Sequence, residues 1–320
     1  MKKVWVDSDP GIDDTFALAM LFEASDKVEV IGVSTIFGNV DVHQTTRNAR
    51  ILCEAAGKGD LPVARGASFP LAVPLDTSPF VHGENGMGNM PLPEPKMKEN
   101  PFPAPQAIVE TILSHPHEIT LLPIGPLTNI AIALSLEPSI ADLVKEVVIM
   151  GGAVRCPGNI TPAAEANFYH DPHAAQIVMH ADWPIYLAPL DVCAHGMIPQ
   201  ALLDNICSAD KALTPFIAGG VPFYRKFLET YNIYDRVDFP DALAVGFILE
   251  PDIYTVEEVP LFIETEGSCM GQSLEVPGGK WYQNLEDQRE FPADRTISHA
   301  NVMFRVNEQH FLDLVEDLLV

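Results

Sequence analysis

Apolar residues along this chain fall into short unbroken runs, and between the runs apolar and polar positions mix at helical spacing. The runs are KVWVDS at 3–8, VEVIGVSTIF at 28–37, EITLLPIG at 118–125, EVVIMGG at 146–152 and PIYLAPLD at 184–191. After Pro10 and Gly11 the first run gives way to TFALAMLFEA from Thr15. The second passes through Gly38 to a helical pattern from about Val42 to Ala56, and the third leads into LTNIAIAL. Strands without polar alternation are buried on both faces, which requires helices above and below a parallel sheet. The pattern therefore predicts an open, mostly parallel, doubly wound α/β (Rossmann-like) sheet with helices on both faces. The last stretch differs: VEEVPLFIETEG, SCMGQSLEV and ISHANVMFRV predict strands that pair antiparallel, followed by a helix over NEQHFLDLVEDLLV. No Ser/Gly linker, composition shift or internal repeat divides the chain, so residues 1–320 are expected to form one domain. Two long connections, at 65–105 and 152–170, break the rhythm, and connections of that length are commonly functional.

Charge narrows the partners. Nineteen Lys plus Arg against 44 Asp plus Glu leave a formal charge of -25, which repels phosphate backbones and anionic membranes. Neither a nucleic-acid polymer nor a membrane is an expected partner; a cation or a neutral polar ligand suits such a field. The five cysteines, Cys53, Cys156, Cys193, Cys207 and Cys269, are scattered without a CxxC pair, so neither a zinc cluster nor a disulfide framework is indicated. No apolar window approaches the roughly 18 residues of a membrane-spanning helix, and MKKVWVDSDPG becomes charged before a signal peptide could develop. A cytoplasmic protein is the expectation.

Candidate chemistry begins where the first strand ends. SDPGIDDTFAL, residues 8–18, holds Asp9, Asp13 and Asp14 with Asp7 just upstream. In an open parallel sheet, ligands bind beyond the carboxyl ends of the strands, and a helix N-terminus favours carboxylates. Any one of these aspartates has an ordinary role as a turn former or first-turn charge. Four within eight residues raise one another's pKa unless a cation sits among them. A hard divalent ion bound through oxygens, calcium or magnesium, resolves the repulsion, and the absence of His or Cys here disfavours zinc.

VDSDPGIDDTFAL resembles the N-terminal signature of the inosine-uridine preferring nucleoside hydrolase family, calcium enzymes that cut the N-glycosidic bond of ribonucleosides. Further matching blocks follow in order: TIFGNV at 35–40, HGENGMGN at 82–89, LPIGPLTNIA at 122–131, VVIMGGA at 147–153, GNITPAAEANFYHDPHAA at 158–175 and PDALAV at 240–245. The resemblance implies the nucleoside hydrolase fold and a Ca2+ site made by Asp9, Asp14, Asp241 and the backbone carbonyl of Ile124. It implies Asp9 as base toward the attacking water and Asp13 on the ribose 2′-hydroxyl. Asn39 falls where the family positions water and sugar, and Met150, Asn159, Glu165 and Asn167 around the 3′ and 5′ hydroxyls. It also implies homodimers or homotetramers.

Breaking a ribosyl C–N bond develops oxocarbenium-like charge on the sugar, which a ring of oxygens stabilises. The departing base is an anion unless protonated, so a general acid or a stacking aromatic is wanted near it. Many family members carry a His directly before the last metal aspartate; this chain has Pro240 there, in VDFPDALAV. His82 matches the other family histidine near the base and joins Asp9 and Asp241 as an expected catalytic residue. Phe168, Tyr231, Tyr234 and Phe239 offer aromatic surface, with Phe168 and Tyr231 taken as base contacts. The missing histidine points to an unusual base preference.

Other readings stay open at this level. Asp7-Ser8-Asp9 after an apolar strand resembles the DxD motif of haloacid-dehalogenase-type phosphotransferases, although PGIDD does not continue that pattern. A calcium-dependent nucleoside binder that has lost turnover accommodates the missing histidine. A dinucleotide site is disfavoured because the first turn has only Gly11 and no GxGxxG.

Overall fold

The computed structural model describes residues 1–276 and 297–320. Its strands are β1 (Lys2–Ser8), β2 (Val28–Thr35), β3 (Val63–Arg65), β4 (Ile119–Pro123), β5 (Glu146–Met150), β6 (Ile185–Ala188), β7 (Ile198–Pro199), β8 (Arg236–Val237), β9 (Tyr254–Ile263), β10 (Ser273–Glu275) and β11 (Ser298–Val306). Nine of them form one sheet in the order β10-β9-β11-β6-β5-β4-β1-β2-β3, and β7 pairs with β8 in a small ribbon. From β3 across to β11 every neighbour is parallel. β9 then lies antiparallel to β11, and β10 antiparallel to β9. The expected parallel sheet with an antiparallel end is what the chain builds, with one refinement: β11 is antiparallel only toward β9 and extends the parallel run beside β6.

Strand side chains alternate between two apolar layers, as a two-residue period requires. Val4 and Val6 of β1 and Val148 and Met150 of β5 enter one layer, and Trp5, Val147 and Ile149 enter the other. The first layer is covered by α1 (Ile12–Glu23), α2 (Val42–Ala55) and, later in the chain, helices described below; the second by α3 (Ala104–Ser114), α4 (Thr128–Leu136) and α5 (Pro172–Met179). The helix expected from Thr15 starts three residues earlier, at Ile12, because Asp14 accepts the Gly11 N–H at 2.9 Å and closes the first turn. The connection at 65–105 contains a one-turn helix at Pro79–His82, and that at 152–170 ends in the short helix Ala166–His170.

Between β6 and β9 the chain inserts helices at Leu190–Cys193, Gln200–Ser208, Thr214–Glu229 and Pro240–Leu249. The last of these places Pro240 at its first position, where a missing N–H costs nothing, and Asp241 in its first turn. No helix among the described residues is long and apolar enough to cross a membrane.

Candidate active site

Beyond the carboxyl ends of β1, β4 and β5 lies a cleft of about 640 Å³, its open mouth included. Asp9, Asp13, Asp14, Asn39, Ile124 and Met150 line it together with Asn159, Glu165, Asn167 and Asp241. The turn after β1, the ends of β4 and β5, the Ala166–His170 helix and the start of the Pro240–Leu249 helix thus bring to one place residues spread over more than two hundred positions of sequence.

Each floor residue is held by identifiable bonds. Asp14 accepts Ser8 Oγ at 2.6 Å on one carboxylate oxygen, and Gly11 N and Asn39 Nδ2 at 2.9 Å on the other. Asp9 accepts the Asn39 N–H at 2.7 Å, and Asn39 Nδ2 also donates to the Asp9 carbonyl at 3.0 Å. The Asp9 carboxylate needs bare backbone beside it: a Cβ at Gly38 would collide with it, and one at Gly125 would stand 2.5 Å from its Oδ1. Glu165 is the N-cap of its short helix, accepting from Asn167 N at 2.9 Å and Phe168 N at 3.3 Å, and it also accepts Gly152 N at 2.8 Å. Asn167 Nδ2 donates to the carbonyls of Ile124 and Met150, each at 3.2 Å.

The floor is buried and charged. Burial, then the neighbouring Asp14, pushes Asp9 well above the usual carboxylate range. Burial and Asp13 push Asp14 up to about 7, burial pushes Asp13 up to about 6, and burial lifts Glu165 to about 7. Asp241 rises well above its ordinary value through burial and then the charges of Asp13, Asp14, Asp9 and Glu165. Carboxyl oxygens of Asp13, Asp14 and Asp241 lie within 4.8 Å of one another. Buried like charges so close, with the Ile124 carbonyl on the same cleft, suit a hard divalent cation bound through oxygens. Asp9, expected in this group from sequence, lines the same cleft with its carboxylate accepting the Asn39 N–H, so Asp9, Asp13, Asp14 and Asp241 all border it.

Asp7 leaves the group altogether. It is buried beneath the floor, where Ser34 Oγ and Asn129 Nδ2 donate to its Oδ1, the latter at 2.8 Å. Asp7 shares the face of Trp5, against β2 and the Thr128–Leu136 helix, whereas β1 ends at Ser8 and the turn beyond it carries Asp9 to the cleft, so the acidic cluster is built from three residues of the signature plus Asp241.

The opposite wall is aromatic. His82, at the end of the Pro79–His82 turn, accepts the Ile12 N–H on Nδ1 at 3.2 Å, which leaves its proton on Nε2. Burial lowers its pKa to about 4. Its ring stacks with Tyr224 at 5.8 Å, Tyr224 with Phe227 at 6.3 Å, and Phe80 approaches Phe227 at 6.0 Å. Phe80, Tyr224 and Phe227 all line the cleft, as does Pro240.

Two expected base contacts are displaced. Phe168 is fully buried in the second apolar layer, against Gly151, and does not reach the cleft, since the Glu165 cap turns it inward. Tyr231 lies past the end of the Thr214–Glu229 helix, 59% exposed, edge-on to the far side of Phe227 at 5.2 Å. Tyr234 is equally exposed, and Phe239 is stacked in the core on Phe16 at 4.2 Å. Tyr224 and Phe227 take the place these residues were expected to fill. Their spacing with Tyr231, at i, i+3 and i+7, is a helical stripe that the sequence presents no differently from core packing.

A doubly wound sheet with an oxygen-lined, cation-suited cleft at its strand ends and an aromatic wall facing it defines a ligand site of the α/β class. Its family follows from comparison. Residues 4–313 match the model of the inosine-uridine preferring nucleoside hydrolase family, and the chain belongs to that family. It is 38% identical over 270 residues to the inosine-uridine preferring nucleoside hydrolase of Leishmania major, covering 83% of this chain and 85% of the relative. It is 36% identical over 282 residues to uridine nucleosidase 1 of Arabidopsis thaliana, covering 87% and 83%. A solved plant nucleoside hydrolase superposes with a TM-score of 0.90 at 30% identity, covering 99% of this chain and 98% of that one. The protein is accordingly a glycosidase that hydrolyses ribonucleosides.

Proposed function

We propose that this protein is a calcium-dependent ribonucleoside hydrolase in which Asp9 is the base and the ribose is held by the floor of the cleft. The observation that carries the reading is the convergence of the half-buried Asp13 with the buried Asp14 and Asp241. Asp9, Asp14, Asp241 and the Ile124 carbonyl would hold the ion. When bound, such an ion supplies positive charge that lowers the pKa of water and anchors hydroxyls.

The chain's own residues do the rest. Asp9, oriented by the Asn39 N–H, takes the proton of the attacking water. Asp13 accepts from the 2′-hydroxyl, and Asn39, Met150, Asn159, Glu165 and Asn167 surround the remainder of the sugar. Glu165 and Asn167 are fixed by backbone partners before substrate arrives, so the sugar meets a preorganised surface and attack becomes effectively intramolecular. Negative charge beneath the ribose favours the oxocarbenium-like transition state. His82 offers Nε2–H toward the base side.

Release of free ribose from a panel of nucleosides, with calcium and after chelation, tests the reading. Ribose formed only in the presence of a divalent ion, with calcium best, is expected. A nucleoside that binds but stays intact through prolonged incubation would make the protein a binder instead. The homo-oligomer belongs to the same proposal and is read from the native mass in solution.

A further inference from the structure

The base side of the cleft raises a problem of leaving-group chemistry, and its solution rests on the hydrolase reading above. When a neutral nucleoside is cleaved, the C1′–N electron pair departs on the base, which leaves as an anion unless a proton reaches it. Among the described residues lining this cleft, strong proton donors on that side are missing. Position 240, beside Asp241, is a proline. His82 has its Nδ1 occupied as acceptor of the Ile12 N–H at 3.2 Å. Among the described residues no Lys or Arg lines the cleft, and both oxygens of Glu165 are taken up by backbone N–H groups on the sugar side. What the wall does offer is the ring faces of Tyr224, Phe227 and Phe80, with the Tyr224 hydroxyl as a hydrogen-bond donor that is only a weak acid. What the floor offers is five carboxylates, in a chain whose formal charge is -25.

We propose that the preferred substrates of this site are ribonucleosides whose base carries a permanent positive charge, N-ribosylpyridinium compounds foremost. Such a base needs no acid. As the C1′–N bond breaks, its electron pair settles on the ring nitrogen and cancels the positive charge, so the base departs neutral. The water oxygen bonds to C1′, and the water proton passes to Asp9 and on to solvent; nothing is oxidised or reduced. The same positive charge is attracted by aromatic faces and by the field of an acidic cleft.

The test uses the purified full chain with saturating calcium and follows ribose release from N-ribosylpyridinium, inosine and uridine at about 20 mM and about 500 mM salt. The pyridinium riboside should show a kcat/KM at least about tenfold above both neutral nucleosides at low salt. Its value should fall severalfold at high salt while the neutral ones change by less than about twofold. Inosine or uridine matching the pyridinium riboside, or salt affecting all three alike, would overturn the proposal and leave the hydrolase reading standing. If none of the three released ribose, the hydrolase reading would fall and take this proposal with it.

Discussion

The two sides of the cleft are built on different principles. The floor hangs from strand ends and helix starts of the main sheet, and Asp9, Asp14, Glu165 and Asn167 are each pinned by hydrogen bonds. The wall comes from a one-turn helix and one inserted helix, and its rings are held mainly by other rings. Moving a floor residue disturbs the fold's own bonding. A wall residue can change with little effect on the sheet, so under the proposed function sugar handling would be the fixed part of the site and base choice the variable part.

Removal of the ion is the strongest test of the floor. Chelation is expected to abolish ribose release and to lower Tm by several degrees, with both restored by calcium. An ion at about 100 times its Kd adds about 2.7 kcal/mol to stability. A chelated protein with unchanged Tm and full activity would dissolve the proposed contrast between an acidic, ion-binding floor and an uncharged wall.

Asp241→Asn comes next. Loss of one carboxylate from the group should lower kcat by about a thousandfold. In the chelated protein, however, the same change relieves repulsion from Asp13, Asp14 and Asp9, so Tm should rise even though activity is lost. Opposite signs in activity assay and thermal melt are expected of a floor residue; a fall in both would mean that Asp241 acts chiefly through packing.

A smaller effect is expected on the wall. Tyr224 is 5% exposed, stacked on His82 and open to the cleft. Tyr224→Phe keeps the stack and removes the hydroxyl, and if that hydroxyl meets the base, kcat/KM should fall by about fivefold, near 1 kcal/mol. The change should depend on which base is used and leave Tm within about a degree, whereas floor substitutions should reduce activity toward every nucleoside alike.

The same contrast governs what could be read in the sequence. The floor was legible because strand, tight turn and helix start leave a local pattern, and Asp9, Asp13 and Asp14 fall within six positions of one another. Asp241 was reached only through resemblance, since nothing in PDALAV by itself links it to residues more than two hundred positions away. Asp7 was misgrouped because a two-residue period puts it on one face with Asp9, whereas β1 ends at Ser8: Asp7 stays in the strand against Ser34 and Asn129, and the turn carries Asp9 to the cleft. On the wall, the choice of aromatic failed: Tyr231 and Phe168 were expected, and Tyr224 and Phe227 are in place. An amphipathic stripe shows which residues share a helix face, but not where the helix ends or which end of the stripe faces a ligand.

Tyr231→Ala should therefore have the smallest effect of all. The ring lies beyond the last turn of the Thr214–Glu229 helix and touches Phe227 only from outside, so its removal takes apolar contact from a half-solvated edge. Activity toward every nucleoside should stay within about twofold, and stability within the range of surface substitutions, about 0.5 kcal/mol. A base-dependent loss larger than that for Tyr224→Phe would mean that the wall closes over the substrate by bringing Tyr231 inward. The boundary between variable wall and solvent would then lie a full turn farther along the chain than the stacked rings now place it.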